Sequence, residues 1–392
     1  MMKSRLSFRF FAVVLLAALL CLYALPALGA AGAEYFSYTV LDNGTARITE
    51  FKGGLNWVDI PETIDGYAVT EIGYDAFRGS PLYTVNIPST VTSILDYAFQ
   101  ACYNLESVVL HGAGSISAYA FSDCTSLTSV TFDGAISSLG SYAFEGCTSL
   151  TEIVLPEGLT SMGENCFWGC SALESVSLPS TLSEIPYAAF GACKALTDVT
   201  IPEGVVSVGK YAFGTCESLE SIYLPDSVTS IGSVAFQWCY ALRSVRMSPN
   251  VTSIGDNAFV SCKNLADIEL PAGLTTIEQG TFNGCASLAH IEIPDGVTVL
   301  FENLWWNGLT LLEPRITDRL FSGIGRDGVG IMLDTGHLMN CRWDLHSEAE
   351  AVAFLRRTVA GMGAHRSLVK GVHLSCSLSG EYQKSCLGAG SD

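Results

Sequence analysis

The stretch VGIMLDTGHLMNC, residues 329–341, carries an apolar run into Asp334 and sets His337 one short turn further on. A carboxylate and an imidazole delivered at the C-terminal end of a buried strand can hold a metal ion or a substrate, a common arrangement in α/β proteins. The plainer reading makes Asp334 a turn former ahead of Thr335 and Gly336. A second set of reactive side chains is far more regular. Nine of the 14 cysteines, Cys102, Cys124, Cys147, Cys170, Cys193, Cys216, Cys239, Cys262 and Cys285, recur at intervals of 22 or 23 residues. Stacked about 4.8 Å apart, they fall inside the roughly 4.4–6.8 Å Cα range of a disulfide. Nine is odd, however, and side chains in one column point the same way, which is poor geometry for successive bridges. The column reads as small buried free thiols. Disulfides are the alternative in an exported chain. A metal array is disfavoured because the column supplies no second ligand type.

Phenylalanine keeps the same period. It recurs at Phe77, Phe99, Phe121, Phe144, Phe167, Phe190, Phe213, Phe236, Phe259 and Phe282. Ala usually precedes it, Leu follows six later, Val or Ile nine later, and usually Pro twelve later. One unit reads LPDSVTSIGSVAFQWCYALRSVRM, residues 224–247. Its stretches SVTSIG and, one unit earlier, LESIYLP place apolar residues two or three apart between Gly and Pro. That spacing predicts strands of three to five residues joined by tight turns. A unit this short cannot bury its own apolar side, so neighbours must stack and turn the columns into continuous ladders. The expected fold is a mainly β solenoid of about ten 22–23-residue coils, a rod of about 48 Å.

Polar positions of the second strand should face outward in two columns, running from Ser107 to His290 and from Val109 to Glu292. Tyr223 and Arg246 stand in the second of these. Trp168 and Trp238 occupy turn positions filled elsewhere by small or polar residues. These four are the candidate contact residues, since aromatic and Arg side chains anchor interfaces. The alternative for the tryptophans is a turn aromatic folded onto its neighbour.

Charge divides the chain. Residues 31–300 hold 29 acidic and 8 basic side chains, residues 301–392 hold 10 and 9, and four of the six histidines lie in that last part. So acidic a surface repels phosphate backbones and excludes nucleic acid as the main partner. Lys3, Arg5 and Arg9 precede the apolar run FFAVVLLAALLCLYAL and the small residues ALGAAGA, the pattern of a secretory signal over 1–30. The run is shorter than the roughly 20 residues of a spanning helix, and no later segment is apolar for long enough. The chain is expected outside the cytoplasm, with no membrane span once the signal is removed.

The segment VTSIGSVAFQWCYALRSV resembles the BspA-like leucine-rich repeats of bacterial surface proteins, whose signature is close to IGxxAFxxCxxLxxVxIPxxVTxIG. Residues 38–73, YTVLDNGTARITEFKGGLNWVDIPETIDGYAVTEIG, resemble the lead-in to such arrays. The resemblance covers about residues 35–300, dividing into a cap over 31–70 and the solenoid over 71–300. It implies a secreted or cell-surface protein, often an adhesin, that binds a protein or glycan partner.

Past Phe282 the period lapses. Trp305 stands where Phe is due, but Gly308 replaces Cys. The strand VTVLFENLWW, the helix PRITDRLFSGIG, the strand VGIMLDTGHL, the helix SEAEAVAFLRRTVAGMG and the strand VKGVHLSCS then alternate. Ser347 and Glu350 form a capping box on the second helix. Alternating strands and helices with apolar runs indicate parallel βα units. The pieces ENLWW, IMLDTGHLM and GVHLSCSLSGEY resemble the xylose-isomerase-like sugar isomerase and epimerase family, a metal-dependent TIM barrel. The resemblance covers about 298–385. It implies Glu302, Asp334 and His373 as ligands of Mn²⁺, Mg²⁺ or Zn²⁺, with His337 facing the sugar and the metal polarising its carbonyl.

The family's fourth ligand, a Glu on a later strand, has no counterpart here, and its first four strands are replaced by the repeats. Three strands cannot close a barrel. The expectation is therefore a fusion near residue 300: a vestigial metal site in an α/β fragment over 301–385, a disordered tail over 386–392, no catalysis and no required cofactor. The first tail strand could pair with the last coil and cap it.

Overall fold

The computed structural model describes residues 31–289, Ile291 and Pro294, together with the backbone of Thr298–Glu302, Val329–Asp334 and Val369–His373. The signal segment 1–30, His337, both tail helices and the stretch 386–392 lie outside the described residues.

Each repeat wraps one coil of a β-solenoid. Gly and Pro limit the regular stretches, so each coil holds a long strand of two to four residues and a short strand of two, as in Ser221–Tyr223 and Ser230–Ile231. Strands of neighbouring coils pair in parallel and in register: Ser221 lies opposite Ser244, Ile222 opposite Val245 and Tyr223 opposite Arg246. On the short-strand side Ser230 lies opposite Ser253. The 23-residue period produces this register directly, since equal coil lengths bring like positions side by side.

A third ladder runs through the turns around each Phe. Residues two before and two after the Phe take left-handed backbone in every coil, for example Tyr119 at φ 57° and Asp123 at φ 60°. Their N–H groups, and that of the Phe between them, donate to carbonyls of the next coil: Tyr119 to Ser141, Phe121 to Ala143 and Asp123 to Glu145, at 2.7–3.0 Å. Left-handed backbone costs an ordinary residue about 1–2 kcal/mol. The inter-coil hydrogen bonds offset that cost and leave little choice of conformation.

Inside, Phe77 through Phe282 stack with ring centroids 4.6–5.7 Å apart and planes within 18° of parallel. Leu and Val or Ile columns, such as Leu219 and Ile222, complete a dry core. At the N-terminus Phe36–Val40 pairs antiparallel with Ala46–Phe51, which continues in parallel onto Tyr67–Ile72. Phe51 extends the ring stack, 5.2 Å from Phe77, so the lead-in caps the core with the same contact.

The short-strand sheet is interrupted between Ser161–Met162 and Glu184–Ile185. At this position Gly163, Gly209 and Gly232 donate to Leu139, Ile185 and Val208. Pro186 replaces that glycine and has no N–H to give to Met162. A second break follows Ser253–Ile254, and Thr276–Ile277 opens a separate parallel sheet with Thr298–Glu302, Val329–Asp334 and Val369–His373.

Truncating one core ring leaves a cavity that two flanking coils cannot close. Phe213→Ala should cost about 3–5 kcal/mol, and the exposed control Thr200→Ala less than about 0.5 kcal/mol. Denaturant unfolding of the two variants checks this; equal midpoints would contradict a core built on the Phe stack.

Candidate interaction surface

The long strands form three parallel sheets, broken between Ser129–Phe132 and Glu152–Val154 and between Asp198–Thr200 and Ser221–Tyr223, and together they turn one face to the Phe core and the other to solvent. Val108, Ile153, Ile222 and Val245 point inward and are buried. The alternating positions carry Thr131, Ser177, Thr200 and Tyr223 outward and are exposed. On this flat hydroxyl-rich field Val154 is 65% exposed and Tyr223 41% exposed. The guanidinium of Arg246 lies 5.0 Å from the centre of the Tyr223 ring, a cation–π contact between adjacent coils. A groove of about 690 Å³ opens beside it, lined by Ser244, Arg246, Ser248, Asp267 and Glu269 and walled by prolines. The ends of both outward columns, His290 and Glu292, lie outside the described residues.

Trp168 and Trp238 stand elsewhere, on the ridge formed by the left-handed turns. Trp168 is half-buried and lies across Gly191, where any added Cβ would collide with its ring and with that of Tyr211. The Trp168 and Tyr211 rings are 5.2 Å apart, and Tyr211 shares a 2.7 Å hydrogen bond with the Thr215 hydroxyl. Trp238, at φ 60°, is 43% exposed. The four candidate contact residues thus form two groups on different sides of the coil.

The same ridge holds a ladder that the sequence reading missed. Tyr97, Tyr119 and Tyr142 stack at 5.0 and 4.6 Å, with Tyr74 edge-on to Tyr97 and Arg78 over it. The signal was present: Tyr recurs two residues before the Phe in three successive units and again at Tyr211. Beside this ladder, burial and the neighbouring Asp123 hold the Glu145 carboxyl above its ordinary range.

The cysteine column is a row of free thiols. Each donates to the carbonyl of the Phe one coil earlier: Cys170 to Phe144, Cys193 to Phe167 and Cys216 to Phe190, at 3.2–3.3 Å. That carbonyl already accepts the backbone N–H of its own coil's cysteine, so the thiol fills its second lone pair. Burial pushes the thiols of Cys147, Cys193 and Cys216 well up, and those of Cys170 and Cys239 up to about 12. Cys285, half-buried at the end of the row, moves down because the neighbouring Cys262 donates to its thiolate. Cys166, outside the column, is also free and raised by burial.

In the tail, Glu302, Asp334 and His373 end three adjacent parallel strands. Asp334 pairs in register with His373, and Glu302 with Met332. Among the described residues, no group of three or more His, Cys, Asp or Glu side chains forms a metal site. No helix among the described residues is long and apolar enough to cross a membrane.

This architecture matches a known family. The family model for the BspA type leucine rich repeat region matches in six copies, over residues 51–113, 70–197 and 184–312. Those stretches span more than half of the chain, which belongs to that family. Among solved structures, a leucine rich cell surface protein from Faecalibacterium prausnitzii is similar at 28% identity over 71% of this chain and 90% of its own, with a TM-score of 0.50. A leucine-rich repeat protein from Bacteroides ovatus shares the fold at 23% identity over 88% of each chain, with a TM-score of 0.54. Among curated proteins none matches. The tail's resemblance to sugar isomerases is not matched by any of these findings.

The raised thiols carry a pH signature. They stay protonated in the folded chain while the unfolded chain ionises near the ordinary thiol pKa of about 8.5. Their contribution is therefore complete below that pH and is lost as pH rises towards about 12. Stability should fall steeply across that window, and less steeply in Cys170→Ala/Cys239→Ala, as measured by denaturant midpoints from pH 8 to 11. In native protein at pH 8, a thiol reagent should modify Cys285 first among the ten described cysteines and leave Cys170 and Cys239 unreacted; mass spectrometry of the labelled peptides reads this directly.

Proposed function

We propose that the chain is an exported, surface-exposed, adhesin-like protein that binds a protein or glycan partner through the outward face of its long-strand sheet and catalyses no reaction. The observation carrying this reading is the uncovered sheet face, with Val154 and Tyr223 standing out of a field of Ser and Thr. A flat, rigid, hydroxyl-rich surface suits polar recognition, and its exposed apolar members supply anchors. Support for the location comes from the signal-like N-terminus and from family membership, and the similar F. prausnitzii protein is described as a cell surface protein.

The test uses full-length protein on beads, scored for adhesion to epithelial cells and to arrays of matrix proteins and glycans. Val154→Lys/Tyr223→Ser should lower adhesion about tenfold, the loss of one good anchor, with an unchanged melting temperature. Unchanged adhesion would remove this face from the reading.

A second reading concerns the tail, and the strand register favours it. Two carboxylates and an imidazole stand at the same ends of three neighbouring strands, a donor set suited to Mn²⁺, Mg²⁺ or Zn²⁺. Glu302, Asp334 and His373 would hold the ion as the remnant of a sugar isomerase or epimerase fragment, with His337 beside it and no turnover. Calorimetric titration of the full chain with Mn²⁺ should show binding that Asp334→Asn weakens at least about tenfold; an equal response from both proteins would end this reading.

A further inference from the structure

We infer that the groove beside Arg246 recognises an extended peptide segment of mixed charge, with a carboxylate taken by Arg246 and a cation taken by Asp267 and Glu269. The inference rests on the reading of the long-strand face as the partner surface, and it names the chemistry of that partner. Arg246, with Arg243 in the same coil and Lys263 in the next, is one of the few basic side chains in a solenoid where acidic side chains outnumber basic ones by 29 to 8. Its strand pairs with the next coil through Ser244 and Asp267, then Val245 and Ile268, which sets Glu269 beside Arg246 on the outer face. An Arg beside a Glu one coil away ordinarily forms an ion pair. Arg246 instead turns to the preceding coil and lies over Tyr223, and none of the ion pairs among the described residues includes it.

Stacking orients the guanidinium plane and leaves its N–H fork to an incoming carboxylate, the geometry in which Arg binds most strongly. Asp267 and Glu269 are likewise exposed and without an ion pair among the described residues, one coil further along the same groove. Opposite charges therefore face outward from two adjacent coils, a little over 5 Å apart by the neighbouring Phe rings. The volume of about 690 Å³ accommodates a few peptide residues. The Ser and Thr columns of the preceding coils offer hydroxyls to the rest of an extended chain. A purely acidic ligand would meet Asp267 and Glu269, and a purely basic one would meet Arg246. Only a ligand of both signs is complementary along the whole groove.

Fluorescein-labelled octapeptides, measured by anisotropy against the full chain, test this. Four peptides of equal length carry Asp and Lys between threonines, Asp alone, Lys alone, or neither. The mixed peptide should bind at least about tenfold more tightly than the others. Arg246→Gln should weaken it about tenfold, and Arg246→Lys should not restore it, since an ammonium lacks the planar fork. Tyr223→Leu should also weaken it by releasing Arg246 towards Glu269, and Asp267→Asn/Glu269→Gln should shift preference to the Asp-only peptide. Equal binding of the mixed and uncharged peptides, or equal affinity in Arg246→Gln at unchanged melting temperature, overturns the inference. Preference for the Lys-only peptide also overturns it, because a general acidic field would then suffice. If the octapeptides fail while Val154→Lys/Tyr223→Ser still lowers adhesion about tenfold, the groove assignment falls and the face assignment stands.

Discussion

Every part of this molecule depends on one coil stacking squarely on the next. A single coil has strands of two to four residues and no hydrogen bonds that close within them. It gains a sheet only when its neighbour supplies the other half of each ladder. Three ladders result: the long strands, the short strands and the left-handed turns. The aligned phenylalanine rings fill the space between them. A shift of one residue in any coil would rotate Phe, Leu and Ile columns away from the core together, so the period is enforced by burial as well as by backbone pairing. Pro186 shows how local the consequences of a breach are: it removes one donor from one ladder while the Phe stack passes through the same coil without a break.

The same constraint explains why buried polar chemistry here is structural. A thiol that fills the second lone pair of a carbonyl one coil away is a donor in a repeated network. Its raised pKa follows from burial. Such a thiol has neither the exposure nor the thiolate character of a nucleophile. The exposed face is what remains for recognition, because the backbone ladders hold that surface rigid and leave its side chains free to vary. A rigid scaffold with variable outward positions binds with little ordering cost.

Much of this was legible before any coordinates. Equal spacing of Phe, Cys, Leu and Val implied stacking, two short strands per unit and outward columns along the second strand, and side-chain alternation in a strand follows from its period of two. The odd count and common direction of the cysteines likewise argued for free thiols. Other features had no such rule. That Tyr97, Tyr119 and Tyr142 form a stacked ladder depends on where left-handed turns aim a side chain, and neither composition nor apolar periodicity encodes that angle. The partners of the thiols, carbonyls 25 or 26 residues away, were hidden for the same reason.

For this chain, then, the repeat length alone settled the architecture and the core, because identical coils have only one way to bury identical faces. Which surface residues act together was decided in three dimensions. Trp168 and Trp238 share a residue type and a ridge but no ring contact, whereas Tyr223 and Arg246, 23 positions apart, touch because in-register pairing sets them on adjacent strands. Contact between coils is a property of the stack, and it appears only once the chain has wound around itself.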